Sequence, residues 1–303
     1  MFKIEELAGV VPALISPLRR NGRVDEAAVA RLVDHVIDGG VSGLLPLGST
    51  GEMPSLDETA RRTILRCVVE AAAGRVPVVC GVAQSHLFAA RVEVEAAGSL
   101  GADAVLVAPP FYYPMDQATL LAFYRDLAAT SKVPILLYNI PQFTKVVAEP
   151  ASVATLAREG TIAGIKDSSR DFEYFEGVCL ATRELPRFRI FTGSDTMLLP
   201  SLAIGGAGMI CGAANVAPRW VVSIDEKFKR GDLVAARAEQ DALYELVIAL
   251  RAGVFPAAIK TACHLLGICE PWCAPPMQPL DERSEAKLRA QLEAWGLLTR
   301  AAS

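Results

Sequence analysis

Lys166 is the side chain whose type and setting best fit covalent chemistry. It ends the run TIAGIK (161–166), in which it is the only ionisable residue. Imine formation with a ketone needs an uncharged amine, and apolar surroundings favour the uncharged form of an amine. The run therefore predicts a lysine nucleophile at the end of a buried strand. The alternative is a strand-end lysine whose head group reaches solvent.

A phenol occupies the matching place one strand earlier. Tyr138 stands near the end of VPILLYN (133–139), at the height that Lys166 has in the next run. A phenol beside an imine-forming lysine can pass protons to and from the carbinolamine. Taken alone, Tyr138 is equally well explained as a core tyrosine with a satisfied hydroxyl.

Two glycines frame two hydroxyls in PLGSTGE (46–52). Gly48 and Gly51 let consecutive backbone N–H groups turn toward one anion, and the hydroxyls of Ser49 and Thr50 add donors. The loop is too short for a nucleotide-binding P-loop, and no lysine follows it. The pattern predicts a holder for a carboxylate, with an ordinary glycine-rich turn as the alternative.

The elements that must position these groups are eight short apolar runs. Their continuous apolar character indicates strands buried on both faces, as in a parallel sheet. Helix-like stretches at 25–38, 57–73, 86–100, 117–131 and 171–184 alternate with the early runs. This alternation predicts an α/β fold, the (β/α)8 TIM barrel. The eight runs are 10–16, 42–48, 76–82, 102–108, 133–139, 162–168, 188–194 and 208–214.

Polar residues ahead of the helix-like stretches predict how those helices begin. Asp25, Ser85 and Asp116 are expected to be N-caps. Ser55 with Glu58 has the spacing of a capping box.

The strand pattern stops after residue 214. Segments 217–230, 232–252, 256–267 and 281–296 are typical of helices. We predict a catalytic barrel over residues 1–225 and a C-terminal helical extension of the same domain over 226–303. Active sites of such barrels gather at the C-terminal ends of the strands, where Lys166, Tyr138 and the 48–52 loop are expected.

Composition excludes several classes of function. The 303 residues carry 30 basic and 34 acidic side chains, a net charge of −4 with no basic stripe, so no nucleic-acid partner is expected. No apolar run approaches the roughly 18 residues that a membrane span needs. Glu5 and Glu6 stand where a signal peptide would have its apolar stretch, which predicts a cytoplasmic protein. Three scattered histidines and seven scattered cysteines favour no metal site or disulfide, and no cofactor is expected.

Three motifs then carry a family resemblance. GSTGE (48–52), YNIP (138–141) and GIKDSS (164–169) occur in the order and spacing of the dihydrodipicolinate synthase and N-acetylneuraminate lyase family of class I aldolases. The chain resembles that family from GVVPALISPL (9–18) to PPMQPLDE (275–282). The resemblance implies a Schiff base between Lys166 and pyruvate, with Tyr138 as the general acid and base.

Further roles follow only from this resemblance. Ser49 and Thr50 would hold the pyruvate carboxylate, and Thr50 would also relay protons to Tyr138. Tyr112 matches a family tyrosine that reaches into a neighbouring subunit's site and completes this relay. The family is typically built as a pair of tight dimers, so a homotetramer is expected.

The chain departs from the family pattern where the second substrate should bind. Dihydrodipicolinate synthases have an arginine at the place of Phe143, and phenylalanine cannot form a bidentate carboxylate clamp. The sialic-acid lyase branch holds sugar hydroxyls with groups that match Ser168 and Asp195, which this chain keeps. It lacks that branch's acidic residue at Thr196 and its serine at Gly212. Asp195 has a plain alternative role as the N-cap of the next helix.

The expected function is a pyruvate-dependent class I aldolase that cleaves or condenses a 2-keto-3-deoxy sugar acid or a similar 2-oxo acid. The expected partners are pyruvate and an aldehyde or 2-oxo acid substrate. Gly48, Ile210 and Phe143 complete the predicted substrate-binding residues.

Three alternatives stay open. One is 4-hydroxy-tetrahydrodipicolinate synthase, acting on aspartate semialdehyde. Another is a Schiff-base dehydratase of a sugar acid. The last is a barrel that binds a 2-oxo acid without turnover, against which the lysine and tyrosine argue, because binding alone needs no nucleophile.

Overall fold

Short runs of buried β-branched and small residues form the strands of this protein. The computed structural model describes residues 2–298, and over that range it contains seven β-strands and twelve α-helices. Six of the strands are buried at every position and β6 at all but its first, as strands covered on both faces should be. The strands are β1 (Gly9–Pro12), β2 (Val79–Val82), β3 (Ala104–Val107), β4 (Ile135–Asn139), β5 (Gly164–Asp167), β6 (Arg189–Thr192) and β7 (Gly208–Cys211).

Helices cover the outside of the sheet and continue beyond the last strand. They are α1 (Glu26–Asp38), α2 (Glu58–Ala72), α3 (Leu87–Ser99), α4 (Gln117–Thr130), α5 (Pro141–Thr144), α6 (Pro150–Arg158), α7 (Phe172–Thr182), α8 (Leu198–Ala203), α9 (Pro218–Lys229), α10 (Leu233–Ala249), α11 (Ala257–Leu265) and α12 (Glu282–Ala294). The predicted barrel with helices after its last strand is confirmed. The division at residue 225 stays a prediction.

All strand pairs are parallel, in the order β1-β7-β6-β5-β4-β3-β2. The run 42–48 is predicted as a strand, but it does not form one. It lies between β1 and β2 and closes the barrel there. Leu45 bridges to Ala13 and Leu44 bridges to Val78. The segment cannot stay extended, because Pro46 has no N–H to donate and Leu47 turns to a left-handed φ of +61°.

Side chains inside the barrel form a core separate from the one between barrel and helices. The inner core includes Tyr138, Phe191 and Ile210, together with Ile4 and Leu7 from the N-terminal segment. Lys166 is the register partner of Tyr138 on one side and of Phe191 on the other. Because partners in register face the same side of a sheet, the register directs Lys166 into the barrel.

The predicted helix starts are half correct. Asp25 and Asp116 accept hydrogen bonds from the backbone of Ala28 and Thr119, as N-caps do. The capping box at Ser55 is wrong, because Asp57 caps α2 by accepting from Ala60. Ser85 is also wrong, by one residue: the ring of His86 caps α3.

Candidate active site

Lys166 and Tyr138 meet at the C-terminal end of two neighbouring strands. The Lys166 Nζ donates to the Tyr138 Oη at 3.3 Å and lies 4.4 Å from the centre of the Tyr138 ring. The lysine is only 4% exposed. Among the described residues, no carboxylate forms an ion pair with this amine. An amine so placed is free to attack a carbonyl carbon, with a phenol in reach of its protons.

The 48–52 loop brings a hydroxyl to the same point. The Ser49 Oγ lies 3.4 Å from the Tyr138 Oη, and Thr50 is buried beside it. Leu47, directly before the loop, and Glu52, its last residue, both have a left-handed φ, of +61° and +58°. Residues other than glycine hold such conformations only where their surroundings fix them.

A close approach beneath the loop requires glycine at position 81. A Cβ on Gly81 would lie 2.3 Å from the carbonyl oxygen of Leu47. Ser16, fully buried, donates from its hydroxyl to the carbonyl of Gly51 at 2.6 Å. The loop that carries Ser49 and Thr50 is therefore pinned from below.

A buried ion pair pins the loop from above. The Glu52 carboxylate accepts from the Lys260 Nζ at 2.5 Å and from the backbone N–H of Ala274 at 2.6 Å. Both charged side chains are 0% exposed. Lys260 lies on α11, so the helices after the barrel hold the loop in place. Sequence reasoning missed this pair because the two residues are 208 positions apart.

These groups open into a cavity of about 510 Å³ at the barrel mouth. Its inner end is lined by Lys166, Tyr138, Ser49, Thr50 and Ile210. Its outer part contains other predicted residues: Phe143, Ser168 and Asp195. Gly48 does not line this cavity. It lines a neighbouring apolar cavity of about 350 Å³ that shares Ser49, Tyr138 and Phe143 with the first.

Ser168 lies directly beside the reacting end. A Cβ on Gly193 would come within 2.0 Å of the Ser168 Oγ and 2.9 Å of the Lys166 Cε, so only glycine fits at position 193. Gln142 donates to the Ser168 carbonyl at 3.1 Å. The serine hydroxyl thus lies close to the end of the Lys166 side chain.

Asp195 is held by the turn that follows β7 and does not cap its own helix. Its carboxyl accepts from the backbone N–H of Ala213 at 2.8 Å. Burial raises the pKa of this carboxyl, and the charges of Lys166 and Arg251 oppose that shift. The N-cap alternative is wrong. Thr196 turns toward Ser194, with their hydroxyl oxygens 3.1 Å apart, and does not line the cavity.

A side chain at position 212 would require the end of Ile259 to shift. A Cβ there would lie 2.9 Å from the Ile259 Cδ1 and 3.9 Å from the Thr50 Oγ1. Ile259 comes from α11 and lines the cavity. A methyl group therefore fills the space in which a serine at 212 would present its hydroxyl.

Phe143 and Tyr112 are both exposed aromatic residues, and they lie in different places. Phe143, on the short helix α5, is 57% exposed and forms part of the cavity wall. Tyr112 is 78% exposed, has a left-handed φ of +86°, and does not line the cavity of its own chain. Its ring packs edge-on against Tyr113, with centroids 4.9 Å apart. A φ of this value is unusual for a bulky residue, so surrounding contacts must stabilise the backbone of Tyr112 in this conformation.

Sequence reasoning also missed the outer wall of the cavity. Val247, Leu250, Arg251, Phe255 and Ile259 line it, and all come from α10, α11 or the turn between them. Arg170, in the turn after β5, lines it as well. The strand-end rule identifies residues on barrel loops, and it gives no signal for side chains that later helices lay over the mouth.

Residues 2–298 contain no group of three or more His, Cys, Asp or Glu side chains that could hold a metal ion. None of their helices is both long and apolar enough to cross a membrane. All seven cysteines are buried free thiols, and burial raises the pKa of Cys80 and of Cys269 to about 12.

Known proteins resemble this chain over nearly its full length. The family model of the dihydrodipicolinate synthetase family matches residues 6–295. A 4-hydroxy-tetrahydrodipicolinate synthase of Salinibacter ruber is 39% identical over 285 residues, covering 93% of each chain. An uncharacterized DapA-like lyase of Halobacterium salinarum is 37% identical over 292 residues, covering 96% of this chain and 95% of that one.

Solved structures agree with this family. YagE of E. coli K12, a prophage protein of the dihydrodipicolinic acid synthase family in complex with pyruvate, superposes with a TM-score of 0.92 at 29% identity. The match covers 96% of this chain and 99% of YagE. Dihydrodipicolinate synthase of Aquifex aeolicus gives a TM-score of 0.91 at 31% identity, covering 97% of this chain and all of the other. The chain therefore belongs to the dihydrodipicolinate synthetase family and is a lyase of the pyruvate-dependent aldolase type.

Proposed function

We propose that this protein cleaves or forms a 2-keto-3-deoxy sugar acid, or a similar 2-oxo acid, through an imine at Lys166. The observation that carries the proposal is the 3.3 Å contact between the Lys166 Nζ and the Tyr138 Oη inside a cavity of about 510 Å³. A buried amine next to a phenol has the composition that imine chemistry requires.

The reaction uses the inner end of the cavity. Lys166 adds to the C2 ketone, and loss of water gives a protonated imine. Cleavage of the C3–C4 bond sends its electron pair toward this iminium, so an aldehyde leaves and an enamine of pyruvate remains. Protonation of the enamine at C3 and hydrolysis of the imine release pyruvate. The imine itself is the electron sink, so the proposed chemistry needs no metal or cofactor.

Tyr138 is proposed to transfer protons, and the 48–52 loop is proposed to hold the substrate carboxylate. Tyr138 passes the proton between the C4 hydroxyl and the carbinolamine, since its hydroxyl already contacts Lys166. Ser49 and Thr50 hold the C1 carboxylate, which fixes the imine plane relative to the bond that breaks. The pinned backbone of the loop means that this carboxylate site is formed before substrate arrives.

The second half of the substrate is proposed to be a hydroxylated chain. Ser168 and Asp195 offer a hydroxyl and a carboxyl along the wall that leads from Lys166 to the mouth. Burial raises the pKa of the Asp195 carboxyl, which favours a group that can donate as well as accept hydrogen bonds. Phe143 supplies no charge at its side of the cavity.

We also propose that the enzyme works as a homotetramer built from dimers, located in the cytoplasm. Tyr112 is largely exposed in the single chain and strained at its φ of +86°. A neighbouring copy that accepts this ring would account for both features. The apolar cavity of about 350 Å³ beside Ser49 and Tyr138 has room for it.

The test of the imine is reductive trapping. Borohydride added with pyruvate should attach a 1-carboxyethyl group to Lys166, detected by mass spectrometry of the peptide. Lys260 is the internal control, because this other buried lysine pairs with Glu52 and should stay unlabelled. A protein that gains no mass at Lys166 would contradict the proposal.

A second candidate is 4-hydroxy-tetrahydrodipicolinate synthase, favoured by the relatives that carry this name. An aldehyde screen with pyruvate separates the two, using aspartate semialdehyde against sugar-derived aldehydes such as glyceraldehyde. Faster pyruvate consumption with aspartate semialdehyde would favour the second candidate. The products also separate aldol cleavage from dehydration: cleavage of the sugar acid gives pyruvate and an aldehyde, whereas dehydration gives one oxo acid.

A further inference from the structure

Two arginines line the outer part of the cavity from separate segments of the chain. Arg251 lies in the turn after α10, and Arg170 lies in the turn between β5 and α7. Both are exposed, and among the described residues neither forms an ion pair with a carboxylate. The reaction proposed above assigns them no role.

The cavity wall has more basic than acidic side chains. Its basic lining residues are Lys166, Arg170 and Arg251, and Asp195 is its one acidic lining residue over the described range. Burial raises the pKa of Asp195, which disfavours the charged form of that carboxyl. The chain as a whole has a net charge of −4, so the positive cavity is a local feature. A site of this sign attracts a ligand that carries more than one negative charge.

Arg251 acts on the same space as Lys166. The charges of both residues lower the pKa of Asp195, against the effect of burial, so Asp195 lies within electrostatic range of each. The wall beside Arg251 is apolar, formed by Val247, Leu250 and Phe255. Apolar walls strengthen a charged hydrogen bond and leave the guanidinium as the group that selects the ligand.

Arg170 is fixed at the rim by its backbone. Its φ of +65° is left-handed, a conformation that only the surrounding structure can impose on arginine. The Asp167 carboxylate accepts from the backbone and the hydroxyl of Ser169, and the Ser169 Oγ accepts from the backbone of Asp171. The turn is therefore held on both sides of Arg170.

We infer that Arg251 and Arg170 form an anion-binding subsite for a terminal carboxylate or phosphate of the 2-oxo acid that reacts at Lys166. The inference rests on the proposed function, because it takes the imine at Lys166 as the fixed end of the ligand. It narrows the substrate class to 2-oxo acids with a second acidic group at the far end of the chain.

The test compares ligands that differ only in that group. Cyanoborohydride trapping at Lys166 is measured with 2-oxoglutarate, with its uncharged counterpart 2-oxopentanoate, and with 2-oxo-4-phosphonobutanoate. A longer pair, 2-oxoadipate and 2-oxohexanoate, tests whether the two arginines lie one carbon further from the imine. A charge-assisted hydrogen bond should lower the half-labelling concentration of the charged member of at least one pair about 10-fold.

Variants of the two arginines show whether Arg251 and Arg170 cause the preference for the charged ligand. Arg251→Gln should reduce the charged-to-uncharged preference, and Arg251→Gln with Arg170→Gln should bring the ratio to about 1, because the described lining residues then include no cation at the rim. Arg230→Gln is the matched control: this exposed arginine ends α9 outside the cavity and should leave the ratio unchanged. The preference for carboxylate or for phosphonate identifies which group the subsite accepts.

The outcomes separate this inference from the function beneath it. Absence of pyruvate labelling at Lys166 overturns the proposed function. Pyruvate labelling without a charge preference at either length, or without any labelling by the longer acids, overturns only the subsite. A preference that survives in the double variant overturns it as well.

Discussion

The inner and outer halves of the cavity are built in different ways. The inner half consists of side chains on adjacent barrel strands and one pinned loop, and its Tyr138 Oη lies 3.3 Å from the Lys166 Nζ and 3.4 Å from the Ser49 Oγ. The outer half is formed by turns and by helices that follow the barrel, with exposed residues such as Phe143, Arg170 and Arg251. Lys166, Tyr138 and Thr50 of the inner half are buried, whereas the outer half includes these exposed side chains. The two halves are nevertheless connected, because α11 provides both Lys260, which pairs with Glu52 of the 48–52 loop, and Ile259, which lines the outer wall.

The largest effect is expected at the inner half. Lys166→Ala should reduce turnover to the background rate and abolish trapping with pyruvate, because no other described amine reaches the ketone. The measurement is pyruvate consumption together with mass spectrometry after borohydride. If the variant kept its turnover or was still labelled by pyruvate and borohydride, the amine that forms the imine would be a residue other than Lys166.

Tyr138→Phe should lower kcat by about 100- to 10,000-fold, the range of a lost general acid and base. Trapping at Lys166 should become slower and stay detectable, because the amine remains. Tyr124→Phe is the control: this buried tyrosine donates to the Val107 carbonyl and does not line the cavity. Equal kcat in wild type and Tyr138→Phe would remove the phenol from the mechanism.

The support of the 48–52 loop gives the next effect. Lys260→Met leaves the buried carboxylate of Glu52 without its cation, which should cost about 3 to 5 kcal/mol of unfolding free energy. Urea unfolding measures this loss, and KM for pyruvate in the surviving folded enzyme should rise. Arg62→Met removes an exposed pair with Glu58 and should cost less than about 1 kcal/mol. Similar losses in the two variants would contradict a special role of the buried pair.

The smallest effect is expected at the outer half. Gly212→Ser should weaken binding of the second substrate, because its Cβ would meet the Ile259 Cδ1. Ile259→Val deletes that one methyl group, at a stability cost of about 0.5 to 1.5 kcal/mol, and should restore binding in the double variant. The KM of the aldehyde, measured for both single variants and the double, gives the coupling. Additive effects would show that the two residues do not share this space.

Sequence reasoning located the inner half well because the barrel rule applies to it directly. A lysine and a phenol at matching heights of consecutive runs become register partners when the runs pair in parallel, as Tyr138 and Lys166 do. The same rule identified the 48–52 loop. It failed on the strand itself, since Pro46 and the left-handed Leu47 end the extended backbone early.

The outer half could not be predicted from the same signals. Ile259 and Arg251 reach the cavity through the packing of α10 and α11, and residues so distant in sequence share no period or motif with the strand ends. Local competition also misled the predictions of helix starts. The spacing of Ser55 and Glu58 predicts a capping box, yet Asp57 lies next to the first helical residue and accepts the hydrogen bond.

The ion pair of Glu52 has a consequence for how the molecule is made. Its two partners, Lys260 and Ala274, are synthesised 208 and 222 residues later. A nascent chain that already contains every strand therefore still lacks the contacts that seat its carboxylate-holding loop. A chain that ended before residue 260 would contain Lys166 and Tyr138. It would still lack the contacts of Glu52 that hold the 48–52 loop in place. The 48–52 loop therefore gains the last of these contacts only after residue 274 has been synthesised.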